Sequence, residues 1–406
     1  VASTRGNHGN HGGQTHSGAD QAVMRELNRS LVLDVLKRES PISRAAIAKE
    51  TKLAKPTVSA IVDELLAGGL VREIGPGSTT TEGGRPPILL EFNSRSEFYV
   101  GVHIGVRRTH VVVTDARGEP LVQQDLPTPR RAAPVALTDI AGVVAQSLSS
   151  AKAPRRRLAG VGVCVPGLVD PDKGVCLLAP NLGWRDVPVA DVLGAAMGGV
   201  AVHVHNTAQA CAVAETLEGA AKGSKDAVLL YAGTGVGAGI IVDERLYPGA
   251  FGIAGEVGHF RVEGVETRCS CGKVGCLETV VSVPAVEKAA GRPLEEVVAA
   301  AASGDAAAVA VLDDAGRRLG MAASWLVNLL NPEVVVVGGA LAEAADLLLD
   351  PLRAAVAENA LPQAVERLSV RPWLLGQDAK VRGAVLVAMQ KSETFVRLIF
   401  GADRRV

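Results

Sequence analysis

Two stretches of this chain repeat one theme. Tyr99-Val-Gly-Val-His-Ile-Gly…Val111-Val-Val-Thr-Asp115 and Val228-Leu-Leu-Tyr-Ala-Gly-Thr-Gly…Gly239-Ile-Ile-Val-Asp243 each read as strand, glycine turn, strand. Such a hairpin once in each half predicts a duplicated, two-lobed fold with a ligand cleft between the lobes. From Ser94 onward strands, glycine turns and helices alternate, which is an α/β pattern. Hydrophobic residues make up 48% of the chain but aromatics only 3%, so Val, Ala and Leu must fill the interior, as they do in helix-covered sheets. A length of 406 residues exceeds what one core usually supports and predicts two or three folding units.

Before Ser94 the pattern differs. Residues 1–20, with His8, His11, His16 and frequent glycine, show no apolar periodicity and are expected to be a tail without a core. Over 21–95 a winged helix-turn-helix is expected. Val32, Val35 and Leu36 share a helical face that Pro41 ends, and Ser43 caps a short helix reaching Thr51. A third helix runs from Lys55 to Ala67, with Val58, Ile61, Val62, Leu65 and Leu66 on one face. Leu70–Ile74 and Ile88–Phe92 then read as strands flanking a Gly/Thr-rich wing tip, Gly75–Gly84.

In such a module the N-terminal end of the second helix of the motif meets base edges in the major groove. Lys55, Thr57 and Ser59 occupy that end, and over 41–60 Arg44, Lys49, Lys52 and Lys55 face one anion, Glu50, a net +3 beside which DNA phosphates would lie. At the wing, Gly83-Gly84-Arg85-Pro86 offers the Arg85 guanidinium on a bare backbone suited to a narrow minor groove. The whole chain carries only −1, so no general basic coat exists. Ala54, at the cap position of the third helix, has no side-chain oxygen to offer.

His259, Cys269, Cys271 and Cys276 supply four ligands within eighteen residues, and Gly272 and Gly275 let the chain close around an ion. Tetrahedral Zn²⁺ fits, and four protein ligands leave no position for water, so the expected role is structural. Cys164, Cys176 and Cys211 lie singly in apolar stretches and read as reduced core residues. The longest apolar runs, such as Val334-Val-Val-Val-Gly, fall far short of the roughly 18 residues of a membrane span, so a cytoplasmic protein without a membrane partner is expected.

From Arg25 to about Val387 the chain resembles the ROK family of repressors, open reading frames and sugar kinases. Cys269-Ser-Cys-Gly-Lys-Val-Gly-Cys-Leu-Glu278 is similar to its zinc motif, and Gly255-Glu-Val-Gly-His259 to the signature before it. Val165-Pro-Gly-Leu-Val-Asp170, Ala179-Pro-Asn-Leu-Gly-Trp184, Gly233-Thr-Gly-Val-Gly-Ala-Gly239 and Asn331-Pro-Glu…Gly338-Gly339 also match, as Ser43-Arg-Ala-Ala-Ile-Ala and Gly83-Gly-Arg-Pro86 match the winged modules of its repressors. The resemblance implies a two-lobed actin-like (ribonuclease H-like) sugar-kinase fold behind the winged module. The first lobe would span 96–205, completed by a C-terminal helix at 380–400, and the second, with the zinc site, 206–379.

By the same resemblance Asn206, Glu256, His259 and Glu278, with Asn181, contact a sugar or sugar-phosphate effector. Glu256 and Glu278 also have a plainer reading, as partners of the zinc ligands. The family's kinases carry a proton-abstracting Asp in an Asn-Asp-Ala-Asn run, and here the run is Asn206-Thr-Ala-Gln209. Thr207 does not ionise near neutral pH, and losing a general base typically costs ~10²–10⁴ in rate. The first phosphate hairpin, Asp-x-Gly-Gly-Thr in those kinases, is His103-Ile-Gly-Val-Arg107. The expectation is therefore a non-enzymatic, sugar-responsive DNA-binding regulator, a homodimer or homotetramer on double-stranded operator DNA. Its rivals are an active ATP-dependent sugar kinase with an appended DNA module, and a DNA-binding protein whose cleft is empty.

Overall fold

A computed structural model of the protein describes residues 15–77 and 86–392. They form two compact units: residues up to Glu97 with Asp115–Glu119 and the residues from Met389, and Phe98–Thr114 with Pro120–Ala388.

The first unit is built from α1 (Thr15–Glu39), β1 (Ile42–Ser43), α2 (Arg44–Thr51), α3 (Lys55–Ala67), β2 (Val71–Pro76) and β3 (Ile88–Phe92). The α1 helix begins inside the segment expected to be a tail. Gln21, Ala22, Met24 and Leu27 are good helix formers, and because a formed helix extends more readily than it starts, it continues back through Ala19 to Thr15 with no proline to stop it; residues 1–14 lie outside the described residues. Ser43 caps α2 by accepting from the Ala46 amide at 3.2 Å, and Lys52, at φ 58°, ends it. The α3 helix spans the predicted Lys55–Ala67, and Ala54 makes no side-chain cap. Its face of Val58, Ile61, Val62 and Leu65 packs with Val32, Leu36, Ile47 and Leu90 into one core.

Two features of this unit were not anticipated. A short β1 pairs with β3, giving the sheet order β1-β3-β2. The turn Asp115–Glu119 also belongs to this unit, so the 21–95 boundary was too narrow. Ala116 joins the core, its amide donates to the Ser94 carbonyl at 2.9 Å, and Arg117 reaches Ser40 Oγ at 3.1 Å.

The second unit begins with β4 (Phe98–Ile104), β5 (Arg108–Asp115), β6 (Pro120–Pro127), α4 (Ala133–Ser150), β7 (Leu158–Val165), β8 (Leu168–Asp170), β9 (Val175–Ala179), β10 (Trp184–Val187), α5 (Val189–Ala196) and β11 (Val202–Asn206). It continues through α6 (Thr207–Leu217), β12 (Ala227–Ala232), β13 (Val236–Val242), β14 (Arg245–Leu246), α7 (Glu278–Val281), α8 (Val283–Ala290), α9 (Leu294–Ala302) and α10 (Ala306–Leu330). The last elements are β15 (Val334–Gly338), α11 (Asp346–Asn359), α12 (Pro362–Val365), β16 (Ser369–Pro372) and α13 (Ala379–Lys391).

The repeat read from the sequence is a repeat of topology. One five-stranded sheet has the order β11-β7-β4-β5-β6 and the other β16-β15-β12-β13-β14, so each hairpin opens its sheet and two further strands add beside its first strand. Those added strands run parallel to β4 and to β12. Each sheet has its own core, around Phe98, Ile104, Leu137, Ile140 and Leu193 in the first lobe and Leu230, Leu277, Leu312, Leu319 and Leu352 in the second.

The expected C-terminal helix at 380–400 is α13, which ends at Lys391; residues 393–406 lie outside the described residues. It packs on the first-lobe strands so closely that a Cβ at Gly162 would stand 1.7 Å from the Ala384 carbonyl oxygen. Among the described residues no helix is long and apolar enough to cross a membrane.

Candidate functional site

The predicted metal ligands come together. Nitrogen of His259 and the sulfurs of Cys269, Cys271 and Cys276 all lie within 4.8 Å of one another. Cys269 Sγ is 3.8 Å from His259 Nδ1, and Cys271 Sγ is 3.7 Å from Cys276 Sγ. A tetrahedron with Zn–S bonds of about 2.3 Å has edges of about 3.8 Å, so the donor set fits a four-coordinate Zn²⁺ in type and in spacing. Local turns build the cluster: the Cys269 amide donates to the Lys273 carbonyl and the Val262 amide to that of Gly275. Gly275, at φ 82°, leaves no room for a side chain beside the Val265 carbonyl.

Two carboxylates border this cluster. Glu256 Oε2 lies 3.6 Å from His259 Nε2, and Glu278 Oε1 accepts from Cys269 Sγ at 3.7 Å. Burial, and then the Glu278 carboxylate, push Glu256 up to about 7. Gly255, at φ 95°, lets the loop before Glu256 ride on β13, where its carbonyl accepts from Ala238 at 2.7 Å. Glu278 is further tied by the Val236 amide, which donates to Oε2 at 3.0 Å. Glu278 thus holds Cys269 and the end of the second glycine hairpin together, while Glu256 has no such backbone tie.

Asn206 ends β11 and caps α6. Its amide nitrogen donates to the Gly167 carbonyl and its oxygen accepts from the Ala208 amide, both at 2.7 Å, so existing contacts engage both polar ends. Asn181 is exposed in the helical turn Pro180–Leu182. Gln209, not among the predicted contacts, is 2% exposed and donates to the Gly252 carbonyl at 2.9 Å, anchoring the loop before Glu256. Its signal lay in the same Asn206–Gln209 run.

On the DNA-reading unit, Lys55 is exposed and Thr57 and Ser59 half-buried at the start of α3. Thr57 lines a groove with Asn28 of α1 and Ile61. Arg44 departs from expectation, because it pairs with Asp63 of α3 at 2.8 Å and Glu73 of β2 at 3.5 Å. The count over 41–60 had excluded both acids, which the fold brings to the patch. Arg85 and most of the wing tip lie outside the described residues.

Comparison with known proteins gives a consistent answer. The ROK family profile matches residues 99–391, and the MarR family profile residues 26–78. A putative xylose repressor from Caldicellulosiruptor sp. (strain Rt8B.4) is 31% identical over 93% of this chain and 98% of its own. The DNA-binding transcriptional dual regulator NagC of Escherichia coli (strain K12) is 30% identical over 86% of this chain and 89% of its own. Among solved structures, a ROK family transcriptional regulator homologous to the E. coli MLC protein superposes with a TM-score of 0.77 at 27% identity, covering 90% of this chain and 96% of that one. A ROK family glucokinase from Streptomyces griseus, in complex with glucose and AMPPNP, gives 0.64 at 29% identity over 72% of this chain and 99% of its own.

Proposed function

The chain belongs to the ROK family, and from that membership we propose that it is a sugar-responsive transcriptional repressor: a DNA-binding winged helix-turn-helix governed by a sugar-kinase-like body that no longer catalyses. The observation that carries the non-catalytic half is Thr207. It stands directly after Asn206 at the start of α6, where the resemblance places the general base, and its hydroxyl is no proton acceptor near neutral pH.

Glu256, His259 and Glu278, with Asn206 and Asn181, bind the effector. Carboxylates and an imidazole pair with sugar hydroxyls, and ligands lacking them are rejected because buried polar groups would go unpaired. Zn²⁺ when bound cross-links the 259–276 loop and fixes the His259 ring. Sugar closes the cleft and changes the spacing of the winged modules of two copies in a homodimer or homotetramer, which sets the fit to two operator half-sites. Lys55, Thr57 and Ser59 meet bases, and Arg44 and Arg85 supply phosphate and minor-groove contacts. The protein works in the cytoplasm, where its DNA is.

The test is titration of the zinc-loaded chain with sugars and sugar phosphates while binding to its own upstream DNA is followed at fixed salt, with ATP turnover assayed in parallel. A ligand that shifts DNA affinity without turnover supports the reading. ATP-dependent sugar phosphorylation makes the protein a kinase. Glu256→Ala is expected to abolish the response and spare DNA binding.

A further inference from the structure

Between Asp139 and Asp170 the charged residues of the chain are Lys152, Arg155, Arg156 and Arg157, four cations with no anion among them. All four are exposed, and among the described residues no carboxylate pairs with Lys152, Arg155 or Arg156. The backbone that presents them is anchored. Past the end of α4, Lys152 turns at φ 52°, the Ala153 amide donates to the Leu148 carbonyl at 2.9 Å, and Ala151 and Ala153 are buried. The Arg157 amide closes the next turn on the Pro154 carbonyl at 2.8 Å. A surface held in this way loses little backbone freedom when a partner binds.

The cluster stands at the amino end of β7, where Leu158 pairs with Phe98 at the start of β4. Through this edge of the first-lobe sheet the chain passes to and from the DNA-reading unit. Phe98 follows Glu97, the β5–β6 hairpin turns there through Asp115–Glu119, and α13 lies against Gly160 at Ala388 before the chain crosses at Met389. The neighbouring start of β11 adds no charge, since residues 197–202 carry none. Of the acids at the crossings, Glu97 and Asp115 act on Lys37 within the DNA-reading unit. An unpaired positive surface at this edge fits a polyanion, and the guanidinium fork in particular suits phosphate.

The DNA-reading unit itself is short of free positive charge. The net +3 of residues 41–60 falls to +1 when Asp63 and Glu73, which hold Arg44, are counted with it. Sequence-independent affinity comes from neutralised phosphates, so few such contacts mean weak binding at physiological salt. We propose that Lys152, Arg155 and Arg156 contact the phosphates of duplex DNA outside the bases read by α3, which makes the first lobe a second, sequence-independent DNA surface. The inference rests on the DNA-binding reading above and adds a contact that the winged module does not supply.

Fluorescence anisotropy of the full-length, zinc-loaded protein tests this on a long duplex of its own upstream DNA and on a random-sequence duplex of equal length, across a salt series. Arg155→Gln/Arg156→Gln is expected to weaken binding to both roughly tenfold near physiological salt and to lower the slope of log affinity against log salt by about 1.8, two phosphates, for each copy in contact. Its melting temperature should stay that of the wild type, because neither side chain has a partner to lose. Arg130→Gln/Arg131→Gln removes equal charge from the opposite edge of the same sheet, where Thr128 donates to the Gly105 carbonyl, and is expected to change neither affinity nor slope. Unchanged binding in the first variant, an equal loss in the second, or a loss confined to the upstream sequence would each overturn the proposal. So would a first variant that keeps its DNA affinity but loses wild-type binding to vesicles of anionic lipid, which would assign the cluster to a membrane surface. Weakened binding to both duplexes in a protein that prefers neither supports this surface and defeats the operator reading. A preference for upstream DNA with no loss in the variant does the reverse, and a wild-type protein that binds neither duplex defeats both.

Discussion

Arg44 at the start of α2 holds Asp63 of α3 at 2.8 Å, so the strongest cation of the DNA-reading patch is already paired before DNA arrives. Exposed ion pairs contribute little to stability, so the pair matters more for binding than for folding. Asp63→Asn removes the nearer of the two anions that hold Arg44, leaving Glu73 at 3.5 Å. DNA affinity is expected to rise about threefold to tenfold at moderate salt, with the dependence of log affinity on log salt steeper by about 0.9, one phosphate contact. Fluorescence anisotropy across a salt series measures both, and an unchanged affinity and slope would show that Asp63 does not hold Arg44 back from a phosphate.

The recognition helix starts at an extended Ala54 (φ −64°, ψ 139°) with no side-chain cap. That backbone already suits a capping serine. Ala54→Ser is expected to stabilise the winged unit by roughly 1 kcal/mol. Chemical denaturation followed by a probe in that unit measures the gain; no gain would mean that Pro56 alone sets the helix start.

Removing zinc should act locally first. Few of the 261–276 residues form regular structure, so the cluster is the main cross-link of that loop. A strong chelator, or Cys271→Ser, is expected to reduce bound zinc from about one per chain. It should also speed amide exchange around Val262, Cys269 and Gly275 and weaken the sugar response. Slow exchange in the metal-free protein would show that the loop holds without the ion.

Glu215 of α6 is fully buried and accepts three backbone amides, from Ala220 at 2.7 Å, Leu374 at 3.1 Å and Leu375 at 2.9 Å. It ties the segment entering α13 to α6. Glu215→Gln keeps the shape but turns one acceptor into a donor facing a donor, with an expected loss of about 2–4 kcal/mol. Thermal denaturation reads the loss, and a change below the measurement error would mean that the loop supports itself.

The buried His103 sets a direction for pH. Its folded-state pKa lies below the ordinary 6.5, so the unfolded chain binds more protons there and stability falls as pH drops below about 6.5. His110 is lowered as well and adds in the same sense. The melting temperature of the ligand-free protein should decline between pH 7 and 5, and His103→Gln should flatten that decline. An equal decline in the variant would assign the acid sensitivity elsewhere.

The sequence by itself determined whatever depends on spacing along the chain. The Ser43 cap placed α2 and the hydrophobic period α3, the glycine hairpins announced a duplicated fold, and the spacing from His259 to Cys276 announced a metal cluster, because these contacts are local. Tertiary structure decided what depends on residues far apart in sequence. It brought Asp63 and Glu73 to Arg44, carried Ala116 into the winged-helix core, pinned Asn206 to Gly167, and set His103 beside His110 and Lys380. Charge, burial and hydrogen bonding are properties of neighbours in space. A chain read one residue after another shows which groups are present, and only the packed fold shows which of them still have something left to bind.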